Sequence, residues 1–241
     1  MAAGSPKLVQ PVSPTTAIPT VSARIHADLR AGILSGRLAP GEALPSDRAL
    51  SGAHGANRHA VREALKRLQE AGLVSISQGG ATRVLDWRRH AGLGLLLALA
   101  GEGSAPPGLG VARATMEMRA CVGADAARRC AARADAAHRA AVRDAARALL
   151  TEPAPAARTP AYDALWDAIV DGSGNIAYRL ALTTLVAGQR VLDLNAPLLG
   201  AELADSEDIA RLAAAIDGGD AEGAGAVARA LLERSIPAGE D

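Results

Sequence analysis

The chain contains no Phe, and its two Trp and two Tyr make up 2% of 241 residues. Cysteine is as scarce. Cys121 and Cys130 stand nine residues apart in an Ala- and Arg-rich stretch with neither a CxxC pair nor metal-ligand spacing, so both read as packing residues. Long apolar runs are missing too: the longest, residues 91–100, is about half of the ~20 residues that a membrane helix needs. No apolar signal stretch opens the chain, and a cytoplasmic protein with no membrane partner is expected. No G-x-S-x-G, Walker loop or dinucleotide fingerprint occurs, and the five His form no HxxxH or HxH pair. These absences argue against an enzyme, and no cofactor is expected.

What is present is a chain that is 49% hydrophobic, too apolar for wholesale disorder and long enough for one large or two small domains. Its 26 basic and 26 acidic residues cancel, yet they are unevenly placed. Residues 1–90 carry 12 Lys/Arg against 6 Asp/Glu, whereas residues 91–241 carry 14 against 20. A basic segment joined to an acidic one points to a polyanion-binding part and a second part with another task.

Residues 1–20 are rich in Pro, Ser, Thr and Ala without periodicity and read as a mobile arm. From Ser22, a plausible N-cap, Ile25, Leu29, Ile33 and Leu34 recur at helical spacing until Ser35-Gly36. Ser46 then caps a short helix from Asp47 to about Ala53, Gly55 breaks it, and Asn57 caps a third helix that ends at Ala71 before Gly72. A short helix and a longer one across a Gly-bearing turn make a helix-turn-helix outline. On the third helix Val61, Ala64, Leu65 and Leu68 share one stripe, which leaves Arg62, Lys66, His59 and Glu63 facing away and Arg58 at the boundary. Leu73 to Ile76 and Thr82 to Leu85 alternate as two short strands around Gln78-Gly79-Gly80, a wing.

The remainder shows almost no strand signal. Breaks at residues 103–110, 152–160, 172–175, 197–200 and 218–219 leave six helical stretches, near 111–132, 135–150, 160–171, 176–195, 202–216 and 220–235. The expected fold is therefore mainly α, an N-terminal winged helix-turn-helix over residues 21–86 joined by a linker, 87–110, to an all-α bundle over 111–236.

Arg at the first turns of the third helix can reach guanine O6 and N7 or a phosphate in the major groove, and Arg48 on the preceding helix would sit near the duplex backbone. Asp163, Asp167 and Asp171 share one helix face, as a metal or acid/base set or as the solvated side of a helix whose apolar stripe is Leu165, Trp166 and Ile169. Arg119 lies on a helix with Met116, Cys121 and Val122, a setting in which an unpaired guanidinium would be costly. Either a ligand anion or an internal salt bridge, to Glu117 or Asp163, would pair with it.

The run from Ile33 to Gly41, then Leu44-Pro-Ser-Asp-Arg48, then Asn57 to Leu65 with Leu68 and Gly72-Leu-Val74, closely resembles the winged helix-turn-helix of GntR-type bacterial transcription regulators. Tyr162 to Trp166, Gly172-Ser-Gly-Asn175 and Gly219-Asp220 resemble the helical effector domain of the FadR subfamily. The resemblance implies a ligand-responsive regulator that binds a palindromic double-stranded DNA operator as a homodimer. It places DNA contacts on Arg48, Asn57, Arg58, His59, Arg62 and the wing tip at Gln78 and Gly79. Many relatives hold a divalent metal through one Asp and three His. Here those positions are Asp163, Asp167, Ile209 and Leu231, and two apolar residues cannot ligate a metal, so none is expected. An anionic or acyl metabolite such as an acyl-CoA is the implied effector, with Arg119, Asp163 and Tyr178 as its site. The alternative is an architectural DNA-binding protein whose helical domain only dimerises.

Overall fold

A computed structural model of the chain describes residues 19–77, 80–95, 110–191 and 195–237. Among them are eleven helices and one two-stranded sheet, which bears out a mainly α fold. The chain divides into two compact units, Met1–Asp86 and Trp87–Asp241.

In the first unit α1 (Val21–Leu34), α2 (Asp47–His54) and α3 (Arg58–Glu70) pack so that α3 lies against both of the others. Ile25, Leu29, Ile33 and Leu34 of α1 meet Val61, Ala64, Leu65 and Leu68 of α3 in a core from which water is excluded. The α1 cap is not Ser22, which is buried inside the helix. Thr20 fills that place, its side chain accepting from the Ala23 N–H at 3.2 Å. The strands are shorter than the alternating pattern predicts: β1 (Val74–Ser75) and β2 (Arg83–Val84) pair antiparallel, Val74 opposite Val84. Residues 41–44 add to β2 from its other side, with Gly41 N–H donating to Val84 O at 2.8 Å and Leu44 N–H to Thr82 O at 2.8 Å. Gly41 sits at φ +86°, which only glycine adopts without strain, so the Pro-Gly turn is what delivers this third strand-like segment.

The second unit holds α4 (Trp87–His90), α5 (Val111–Arg133), α6 (Ala136–Thr151), α7 (Pro155–Gly172), α8 (Ile176–Val191), α9 (Asn195–Ala204), α10 (Ser206–Gly218) and α11 (Ala221–Glu233). The long α5 is central and packs on α7, α8, α10 and α11. Small side chains permit the approach. Ala120, Ala124, Ala127 and Ala131 of α5 and Ala224 and Ala228 of α11 are buried, and a Cβ on Gly123 would stand 2.4 Å from Leu232 Cδ1.

Two breaks expected from composition are helical. α7 begins at Pro155, whose missing N–H would be unpaired in the first turn anyway, and runs on through Pro160. The stretch 197–200 lies inside α9, and the chain breaks instead at Asp205, whose side chain accepts from the Asp208 N–H at 2.9 Å to cap α10. Seven helices therefore stand from α5 to α11, not six. Of the cysteines, Cys130 is a core residue whose thiol burial pushes up to about 11, but Cys121 is exposed and packs against nothing central. No described helix is long and apolar enough to cross a membrane.

Candidate functional site

In the first unit α3 starts at Asn57, whose Oδ1 accepts from the Ala60 N–H at 2.8 Å, and α2 ends at Gly55 in the left-handed region (φ +58°). This cap-and-turn pair sets the angle between the two helices. Burial of Val61, Ala64, Leu65 and Leu68 then forces the other face of α3 outward. Arg58, His59 and Arg62 are exposed there, and Arg48 is exposed on α2. Arg58, Arg62 and Lys66 recur every four residues and so form one row along the helix. Arg62 donates from Nε to Asp47 Oδ2 at 3.1 Å while 72% of its side chain remains exposed. Both of its Nη groups, the fork that matches guanine O6 and N7 or two phosphate oxygens, are left outside that bond. Asn57 spends its carbonyl oxygen on the cap and keeps its NH2 for another acceptor. Gln78 and Gly79, the expected wing-tip contacts, lie outside the described residues.

In the second unit a cavity of about 290 Å³ is lined by Arg119, Asp163, Trp166, Asp167 and the apolar Leu182, Val186 and Leu199, with Thr183 and Ala187. Arg119 projects from α5, Asp163 and Trp166 from α7, and Leu182 from α8, so the fold brings Arg119 and Asp163 together. The partner of Arg119 is neither Glu117 nor Asp163. Its Nη1 and Nη2 donate to Glu202 Oε1 and Oε2 at 2.7 and 2.8 Å, with 5% of the arginine and none of the glutamate side chain exposed. Tyr162, also buried, donates its hydroxyl to Glu202 Oε2. Burial alone would lower the Arg119 pKa, but the Glu202 charge and hydrogen bonds raise it well above the ordinary arginine value. Burial, and then the Glu202 charge, push the Tyr162 phenol far above its ordinary value. Joined by two hydrogen bonds, Arg119 and Glu202 offset one another's charge within the core.

Tyr178 does not line this cavity, contrary to expectation. Its hydroxyl donates to Asp125 Oδ2 at 2.6 Å, and the Tyr178 bond, with Arg129 and Arg128, holds the Asp125 carboxyl well below the usual range against the opposing effect of burial. Asp167 and Asp171 both pair with Arg179, so this part of the acidic row is a structural clasp. Ile209 and Leu231 are fully buried in the apolar core, and among the described residues no cluster of three or more His, Cys, Asp or Glu stands ready for a metal. Sequence reasoning missed Glu202 and Trp166 as site residues. Glu202 lies 83 residues from Arg119, beyond the reach of any spacing rule, and Trp166 was legible only as part of an apolar stripe.

Comparison with known proteins bears on both units. The model of the family described as bacterial regulatory proteins, gntR family, matches residues 21–84. The HTH-type transcriptional regulator Mce2R of Mycobacterium tuberculosis is 37% identical over 215 residues, which cover 89% of this chain and 89% of that protein. The fatty acid metabolism regulator protein of an Enterobacter species is 40% identical over 68 residues, 28% of each chain. Among solved structures, that of Lar, described as controlling the agr system of Listeria monocytogenes, superposes with a TM-score of 0.50 at 15% identity over 92% of this chain and 97% of that one, a likeness of fold alone.

Proposed function

Because this chain belongs to the GntR family of bacterial regulatory proteins and is a DNA-binding transcription regulator whose helical domain fits the FadR subfamily, we propose that it works as a homodimer on a palindromic operator under the control of a small effector. One observation carries the reading. Packing of the apolar stripe of α3 leaves Arg58, His59 and Arg62 exposed at the start of a helix that fits the major groove, and Arg48 is exposed on the adjoining α2. One such helix spans too few base pairs for a genomic address, and two related by a dyad read half-sites about one helical turn apart. The effector, an anionic or acyl metabolite, occupies the cavity bounded by Arg119, Asp163 and Trp166 and shifts operator affinity by binding the DNA-competent and incompetent states unequally. The protein carries out no chemistry on it.

Selection of bound duplexes from a random library by the purified full chain tests this. An enriched inverted repeat, bound by two protomers and released steeply by salt, is the expected result. Enrichment of a single half-site bound by one protomer overturns the dimer, and no enrichment overturns sequence-specific binding.

A further inference from the structure

The charge census of the cavity decides between the two effector classes. Among the described residues, the charged side chains that line it are those of Arg119, Asp163 and Asp167. Arg119 is already neutralised by Glu202 through two bonds of 2.7 and 2.8 Å, and of the two carboxylates Asp167 is itself paired with Arg179. An anion set beside Arg119 with Glu202 in place would leave a net negative charge in a buried site, at a desolvation cost that the already neutralised arginine does not repay. An anion that displaced Glu202 would have to reproduce both bonds to Arg119 and the bond from Tyr162, in competition with a carboxylate that the chain itself holds at high effective concentration. It gains nothing by the exchange.

What the cavity offers instead is apolar wall and a hydrogen-bond donor. Leu182, Val186, Ala187 and Leu199 supply the wall, and Trp166, 4% exposed, lines the same space with a buried Nε1–H that makes no hydrogen bond within 3.5 Å, the Tyr162 hydroxyl being near it. An unsatisfied buried donor is costly, and a ligand oxygen that meets it removes the cost. Its volume, about 290 Å³, is at the small end of the range for ligand pockets.

We infer that this cavity takes a small uncharged carbonyl compound, an ester, lactone or amide with a short aliphatic chain, and excludes the corresponding free carboxylate, with Trp166 Nε1–H donating to the ligand's carbonyl oxygen and Glu202 enforcing the exclusion. The inference rests on the effector reading above and narrows it. With Asp167 held by Arg179, Glu202 is the residue that sets selectivity, although it is not itself a wall residue.

The probes are methyl heptanoate and its isomer octanoic acid, which are of equal size but differ in charge at neutral pH, where the acid is the octanoate anion. Binding to the full-length protein at neutral pH is measured by calorimetry, with operator affinity followed in parallel. The ester is expected to bind roughly 100-fold more tightly than octanoate, the scale of burying one unpaired charge. Glu202→Gln, which keeps the side-chain shape and frees the Arg119 charge, is expected to invert the preference in favour of octanoate. Trp166→Phe is expected to weaken the ester about tenfold while leaving the discrimination against octanoate, the effect of one hydrogen bond. Equal binding of the two isomers, or a preference for octanoate in the wild-type protein, overturns the inference and leaves the effector reading standing. Binding of neither isomer, by a protein that still holds its operator, overturns both. The wild-type comparison stands without either variant, so a failure of Glu202→Gln to fold does not remove the test.

Discussion

The two units handle charge in opposite ways. In the first, the arginines that matter stand in water: Arg62 is 72% exposed and its partner, Asp47, is itself a surface residue. In the second, the arginine that matters is sealed, 5% exposed against a glutamate with no exposure at all. An exposed guanidinium stays hydrated until a polyanion arrives, and release of counterions then drives binding without the molecule having carried a desolvation cost beforehand. A buried one has to be neutralised within the fold, and the neutralising group is then part of the site. The same residue type therefore stands open to an anion in one unit and is already satisfied in the other.

The contrast is sharpest where a buried partner is removed. Glu202→Ala leaves Arg119 and Tyr162 without their acceptor, and a loss of about 3–5 kcal/mol in unfolding free energy is expected by denaturant titration. A loss below about 1 kcal/mol would mean that water reaches the pair and that the two units do not differ in this respect. Arg58→Ala and Arg62→Ala should show the reverse pattern. Each should cost roughly 1–3 kcal/mol at the operator, by fluorescence anisotropy, while stability stays within about 0.5 kcal/mol of wild type. Equal weakening on random DNA would assign those side chains to phosphates instead of bases.

Asn57→Ala tests the local framework of the first unit, since its side chain caps α3 at 2.8 Å. About 1 kcal/mol of stability should go with the cap, and operator binding should fall with it, because the first turn of α3 carries Arg58 and His59. Asp47→Ala is the smallest expected effect on stability, at most about 1 kcal/mol for a surface pair. It is also the most diagnostic. If Asp47 orients the Arg62 fork, affinity for random DNA should rise as a negative charge leaves the interface while discrimination at one operator base falls. An unchanged base preference would make the pair a surface contact only.

The cysteines offer a pH-dependent check on the second unit. Burial raises the Cys130 thiol to about 11, so its neutral form is favoured in the folded protein, and the stability this contributes is present below the unfolded value and is lost as pH rises toward 11. With iodoacetamide at pH 8, mass spectrometry should find Cys121 alkylated and Cys130 spared until the protein unfolds. Rapid labelling of both would place Cys130 outside the core.

Much of the first unit was legible in the sequence because its determinants are local. A cap residue, a glycine turn and a 3.6-residue stripe act within one or two turns, so the boundaries of α2 and α3, the buried set Val61, Ala64, Leu65 and Leu68, and the outward row of basic residues could be read directly. The winged helix-turn-helix motif lies in the same short span. The added strand-like segment at residues 41–44 was not legible, since its backbone bonds to β2 depend on where the chain returns 40 residues later.

In the second unit composition determined the all-α class and most helix ends, but not the close Ala- and Gly-lined contact of α5 with α11. The sequence did show that Arg119 needed a partner, because a guanidinium among apolar neighbours cannot remain unpaired. It could not name that partner. Local spacing offered Glu117, which pairs with Arg113 at 2.8 Å, and Asp163, which shares the cavity wall. Only the tertiary packing of α9 on α7 carries Glu202 across 83 residues to the buried guanidinium, and with that single contact the cavity changes from one that would attract an anion to one that is electrically closed.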